Sequence, residues 1–150
     1  MIEVVIDEQP FAPDALLARF EPDGTDGAVA SFAGFCRDDG GTLSALELEH
    51  YPAMAQKQLD DIASAAMARF GVGRLFIQHR VGLIKPGEAI VFVAATSRHR
   101  DAAFDAVRFV MDFLKTDAPF WKKQLLNAGG NAGWVAARDT DTRAKTKWTV

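Results

Sequence analysis

The chain has 150 residues, 49% hydrophobic and 25% charged, a length and balance that fit one domain with a real core and exclude disorder. No apolar run reaches the roughly 18 residues of a membrane span, and the start MIEVVIDEQP lacks the basic and apolar regions of a secretory signal, so a cytoplasmic location is expected. The net charge of −3 argues against general nucleic-acid binding, but the charge is unevenly placed: carboxylates crowd the first 26 residues, and cations gather at 98–100, at 121–123 and from Arg143 onward.

In chain order, residues 2–6 are a β-branched run and read as a strand. Pro13 and Asp14 suit the first turn of a short helix to Phe20, and 21–27 is turn chemistry. Residues 28–35 are small and apolar, as a buried strand is, and 37–42 form a polar glycine-rich loop. The alternation over 43–51 predicts a half-buried strand with Leu46, Leu48 and His50 on one face. Pro52 opens a helix whose Leu59, Ile62, Ala63, Ala66, Met67 and Phe70 recur at three- and four-residue steps, and Gly71 and Gly73 stop it.

Residues 74–84 read as one strand, 85–88 as a turn and 89–96 as a continuously apolar strand buried on both faces, hence central. The helix over 101–115 is apolar almost all round, since Phe104, Val107, Phe109, Val110, Met111, Phe113 and Leu114 cannot share one stripe. Such a helix calls for its own domain on one side and a dimer partner on the other. The string 117–124, a Gly- and Asn-rich loop at 127–133, WVAARD at 134–139 and a polar tail complete a single domain, 1–150, with no repeat or linker. Strands and helices alternate only partly, which predicts α+β.

Several strings carry candidate chemistry. TSRHRDAAF (96–104) places Arg98, His99 and Arg100 where a strand feeds a helix N-terminus, a natural anion site. The plainer alternative is solvated cations. In LKTDAPFWKK (114–123), Lys115 is either a dipole partner at a helix end or a lysine pressed among Phe120, Trp121 and Met111, whose desolvation would make it a better proton shuttle. Arg37 stands between a strand and a flexible loop, placed to grip a substrate or simply solvated. Cys36 is the single cysteine; it excludes an internal disulfide, fits a reducing compartment and is either a sulfur carrier or a packed thiol. His50 and His79 read as structural, hydrogen-bonding across a sheet. The three histidines lack metal-site spacing, so neither metal nor cofactor is expected.

Together these strings resemble the large, catalytic subunit of molybdopterin synthase, the MoaE family. The matching pieces are GFCR (34–37), LELEHYPAM (46–54), HRVGLIKPGE (79–88), VFVAATSRHRDAAF (91–104), FLKTDAPFWKK (113–123) and WVAARD (134–139), in order through nearly the whole chain. The resemblance implies an α+β, hammerhead-like mixed sheet with two long helices and a small additional antiparallel sheet. It implies transfer of sulfur to cyclic pyranopterin monophosphate, building the dithiolene of molybdopterin. The sulfur comes from the thiocarboxylated Gly-Gly terminus of a small ubiquitin-like subunit, within a heterotetramer around a dimer of large subunits.

Carried over by position, the resemblance implies substrate contacts at Phe35, Cys36, Arg37, His99, Arg100, Lys115, Lys122, Lys123 and Gln124, with Arg138 a further basic candidate. Lys115 and Lys122 are the catalytic pair, and Lys115 is the general acid or electrostatic stabiliser. The chain departs from the family pattern at Phe35, a place that is basic in some relatives, and at Gln124, where glutamate is common. A helix over 101–115 separates His99 from Lys115 by about 21 Å, so a pocket holding both is expected to straddle two protomers, with Lys115, Lys122 and Arg37 from one and His99, Arg100 and Arg138 from the other. Two rivals stand beside this reading: a non-catalytic dimeric module for a phosphorylated small molecule or an acidic tail, and a persulfide sulfurtransferase working through Cys36.

Overall fold

The computed structural model describes residues 1–21, 23–135 and 138–148. Its framework is a mixed sheet of β1 (Ile2–Asp7), β4 (Arg74–Arg80), β6 (Ala89–Ser97) and β2 (Ala28–Phe35), in the order β1-β4-β6-β2. β1 and β4 run parallel and the other pairs antiparallel. Its inner strands are apolar on both faces because both faces are covered. Leu75, Ile77, Val91, Val93 and Ala95 meet the helices α2 (Pro52–Phe70) and α3 (Arg100–Leu114) on one side. Phe76, Phe92 and Ala94 meet Leu16 of the short α1 (Pro13–Leu17) and Phe20 on the other. Each of these leucine, isoleucine, valine and phenylalanine side chains contributes about 1.5–3 kcal/mol on burial. The expected central strand at 89–96 is β6, between β4 and β2.

A second, antiparallel sheet follows the order β5-β3-β7-β8, from β5 (Gly82–Ile84), β3 (Leu43–His50), β7 (Phe120–Leu126) and β8 (Asn131–Val135). The α+β architecture with a small added antiparallel sheet is therefore present. The chain crosses between sheets within what sequence patterning reads as one strand. Val81 donates its backbone N–H to the Asp7 carbonyl, and Gly82 takes φ 80°, which redirects 82–84 into the second sheet.

Three further expectations are corrected. The strand at 28–35 is an edge, not a buried strand, with Val29, Phe32 and Phe35 exposed. The helix α3 needs no second protomer for most of its apolar surface. Phe109 and Val110 are buried within the chain, and Phe109 packs on Phe70, Phe113 and Trp148, leaving Phe104 exposed. The polar tail folds as α4 (Asp139–Thr146), held to the body by ion pairs of Asp117 with Lys145 (2.6 Å) and Asp112 with Lys147 (3.2 Å) and by the Trp148 indole donating to Asp112 (2.7 Å).

Candidate functional site

The seam between the two sheets is where the cationic residues gather. α3 ends at Lys115, whose N–H donates to the Met111 carbonyl, and a tight turn through Asp117 leads into β7. Phe120, the first residue of β7, packs into the cores of both sheets. It stacks face to face on His79 of β4 at 4.0 Å and 7°, with His50 of β3 at 6.1 Å. His79 is 7% exposed and bonds the Arg80 carbonyl through Nδ1 at 2.9 Å. It thus welds the two sheets by stacking, rather than bonding across a sheet as its sequence position suggests. Burial drives its pKa down to about 4, with the Arg80 carbonyl opposing and Lys122, Lys115 and His50 adding to the drop.

Along β7 the side chains alternate. Trp121 and Lys123 lie on the open face, Trp121 edge-on to Tyr51 at 5.1 Å and the Lys123 ammonium 4.9 Å from the Trp134 ring. Lys122 and Gln124 alternate to the other face, paired in register with Leu48 and Leu46 of β3. Lys122 is half-buried, and its ammonium is held below the ordinary lysine value, first by burial and next by repulsion from Lys115. Asp141 opposes that shift, Arg138 reinforces it and Cys36 opposes it. Lys122, Lys115, Arg138, Asp141 and Cys36 therefore share one electrostatic neighbourhood, in which no described carboxylate forms an ion pair with either lysine. Arg138 thus joins the lysines of its own chain rather than the His99 and Arg100 of a second copy, as expected from the sequence. Lys115 itself is exposed, so the lysine enclosed by the fold is Lys122.

β2 delivers Phe35, Cys36 and Arg37 to the same seam. Cys36 is 3% exposed and packs with Leu43, Leu48, Val81 and Ile84. Burial pushes its thiol above the ordinary range; the Leu46 backbone opposes, Asp38 and Glu88 reinforce and Lys122 opposes. A thiol so placed is a poor nucleophile, which counts against the persulfide reading. Arg37 projects to solvent and pairs with Asp39 at 2.7 Å, both more than two-thirds exposed. An exposed pair of this kind is worth little, so an anionic ligand can displace Asp39.

His99 and Arg100 are not brought to this seam. They sit at the other end of α3, where His99 is the N-cap and donates its N–H to the Ser97 hydroxyl at 3.4 Å. The helix has 15 residues, so its ends are about 21 Å apart. Arg138, the N-cap of α4, donates its backbone N–H to Asp141 at 3.3 Å; residues 136 and 137 of the WVAARD string lie outside the described residues. A cavity of about 220 Å³ beside Arg74 is lined by Glu21, Asp23 and Asp26, the wrong sign for an anion. Sequence reasoning missed Asp141 and the His79–Phe120 stack. The first was signalled by Asp139 and Asp141 opening, and Arg143 and Lys145 closing, a helical segment.

The comparisons with known proteins converge on one family. Residues 6–117 match the family described as MoaE protein. The molybdopterin synthase catalytic subunit of Mesorhizobium japonicum is 50% identical over 146 residues, covering 97% of this chain and 92% of that one. That of Rhizobium meliloti is 54% identical over 124 residues, covering 82% and 79%. Among solved structures, the molybdopterin biosynthesis MoaE protein of Burkholderia ambifaria superposes with a TM-score of 0.83 at 42% identity, covering 100% of this chain and 99% of that one. The molybdopterin synthase of Staphylococcus aureus gives 0.76 at 29% identity, covering 89% and 96%. With its two sheets, its seam of lysines and this likeness along nearly its whole length, the chain belongs to the MoaE family, the catalytic subunits of molybdopterin synthase.

Proposed function

We propose that this chain moves sulfur from the thiocarboxylated Gly-Gly terminus of a small ubiquitin-like partner onto cyclic pyranopterin monophosphate, completing the dithiolene. The carrying observation is the cluster of Lys115, Lys122 and Arg138, with Lys122 desolvated and neither lysine paired to a described carboxylate. Such a site accepts an anionic tail and a phosphate together. The thiocarboxylate sulfur attacks a side-chain carbon of the pterin and displaces the oxygen held there, forming a thioester between tail and pterin, and a second tail repeats the step at the neighbouring carbon. Water adds at the tail carbonyl and the carbon–sulfur bond breaks, leaving a carboxylate on the tail and a thiol on the pterin. Negative charge grows on the carbonyl oxygen during the addition, where the Lys115 ammonium is the electrostatic stabiliser or acid. Phe35, Arg37, Lys123, Gln124 and Arg138 contact pterin or tail, and the chain itself needs no cofactor. The single reduced thiol fits a reaction in the cytoplasm. A module that merely binds is disfavoured, because the relatives in hand are catalytic subunits.

His99 and Arg100 enter from a second copy. The outer edge of β2 is unpaired among the described residues and carries exposed Val29, Phe32 and Phe35. Antiparallel pairing that keeps the whole of β2 overlapped with its copy sets the partner's Ala28 beside Phe35. Ala28 lies opposite Ser97, two residues before His99. The partner's His99 and Arg100 then start about two strand spacings, roughly 10 Å, from the Phe35–Arg37 segment. The test is dithiolene formation from pyranopterin monophosphate and thiocarboxylated small subunit. Lys115→Ala and His99→Ala homodimers should be inactive, and mixed dimers should regain one intact site of two. Failure of the unaltered chain to form dithiolene removes the function; inactive mixed dimers remove the sharing.

A further inference from the structure

One buried charge has no part in that chemistry. Arg80, the last residue of β4, is 6% exposed, and its guanidinium is spent in three directions. Nε donates to the Glu8 carbonyl just past β1 at 3.2 Å, and Nη2 to the Leu83 carbonyl of β5 at 2.8 Å. Nη1 pairs with Oε2 of Glu88, in the turn before β6. The other Glu88 oxygen accepts the Lys85 N–H at 3.0 Å, closing the 85–88 turn on itself. A single side chain thus ties together the exit of β1, the crossing into the second sheet and the turn that follows.

That turn holds Cys36 by both backbone polar groups. The Cys36 N–H donates to the Glu88 carbonyl at 2.9 Å, and the Gly87 N–H donates to the Cys36 carbonyl at 2.8 Å. The pairing of β2 with β6 is irregular between Gly34 and Phe35, so regular ladder bonds do not set the direction of the chain there. The clamp on Cys36 does, and it decides where Phe35 and Arg37 emerge on either side. Lysine cannot replace this arginine, since three acceptors in three directions need the planar fork.

We propose that Arg80 is a positioning residue for the Phe35–Arg37 segment, acting through Glu88 and the backbone of Cys36. This rests on the reading of Arg37 as a contact to the anionic substrate, and the experiment separates the two. Steady-state kinetics with pyranopterin monophosphate and thiocarboxylated small subunit are measured for Arg37→Ala, Arg80→Lys, Glu88→Gln and both double variants with Arg37→Ala. Arg80→Lys and Glu88→Gln should each raise KM for the pterin about tenfold with kcat within about twofold, and should add clearly less than tenfold to KM in the Arg37→Ala background, where only Phe35 remains to be displaced. Amide hydrogen exchange at Cys36 should quicken in both, including in any variant too unstable for kinetics. KM effects that multiply with Arg37→Ala, a loss confined to kcat, or unchanged Cys36 exchange would each overturn the proposal. An unchanged KM in Arg37→Ala alone would instead overturn the role of Arg37, and the positioning role with it.

Discussion

In the mixed sheet the inner strands β4 and β6 are buried on both faces, with Ile77, Val93, Ala94 and Ala95 shut off from solvent; in the antiparallel sheet the inner strand β7 has no fully buried residue. The second sheet has a small core of its own, Cys36, Leu43, Leu48, Val81 and Ile84, and relies on braces to the first: the Phe120–His79 stack and the Arg80 fork. The proposed function gives this difference a chemical reason. A lysine at the reaction centre must be dry enough to interact strongly with an anion yet near enough to solvent to exchange protons and admit a peptide terminus. A thin, half-covered sheet supplies that setting, and a thick one behind it supplies the stability.

The sharpest way to break this division is to truncate one aromatic in each sheet. Phe92→Ala, in the mixed sheet, should cost about 3–5 kcal/mol in urea unfolding. Trp121→Ala, 41% exposed on the antiparallel sheet, should cost under about 1 kcal/mol. Equal losses would mean that the second sheet is as much a part of the core as the first. Next in size, Lys115→Ala should lower turnover about 10²–10³-fold, or about 3–4 kcal/mol of barrier, with an unchanged urea midpoint. A variant that also unfolds early would return Lys115 to the scaffold.

His79 tests the brace between the sheets through pH. Its folded-state pKa of about 4 lies below the ordinary 6.5, so the unfolded chain binds the extra proton first as pH falls. The neutral, stacked ring therefore contributes its full stability above pH 6.5 and loses it progressively toward pH 4. The loss is of order 3 kcal/mol at most. His79→Phe, which keeps a ring against Phe120, should flatten this part of the stability profile. An unaltered acid slope in that variant would assign the slope to other groups.

These contrasts also explain which parts were legible before any coordinates. The helix from Pro52 to Phe70 was readable because a proline opens it, an apolar stripe runs along it and Gly71 ends it at φ 62°. β6 was readable because its unbroken apolar run from Ala89 to Ala95 marks a strand covered on both faces. The break at Val81–Gly82 was not, since both flanking segments are apolar and the decisive bond, from Val81 to Asp7, comes from a strand more than seventy residues earlier. The apolar circumference of α3 was legible, but its cover was not: Phe109 meets Trp148, which stands in a segment that reads as polar tail. At the site, the lysines and Arg37 were legible from the strings that hold them. Which lysine is desolvated was not, because Lys122 is half-buried beside β3 across the sheet and feels charges carried by the distant α4.

The finest distinction concerns how that enclosure tunes Lys122. Burial and the Lys115 charge hold its ammonium below the ordinary lysine value, and Asp141, from α4, pulls the other way. A lysine working as the cation has an alkaline limb in kcat, along which turnover falls as pH rises through the lysine's own pKa. Removing the attraction in Asp141→Asn should start that limb at lower pH. Removing a repulsion in Arg138→Gln should start it at higher pH, whatever that variant does to substrate binding, because kcat reports the bound complex. The opposite signs are the discriminating feature, since a general loss of packing at α4 would move both variants the same way. A limb that stays fixed in both means that another group titrates there, and the enclosed lysine of the antiparallel sheet then works only as a fixed charge.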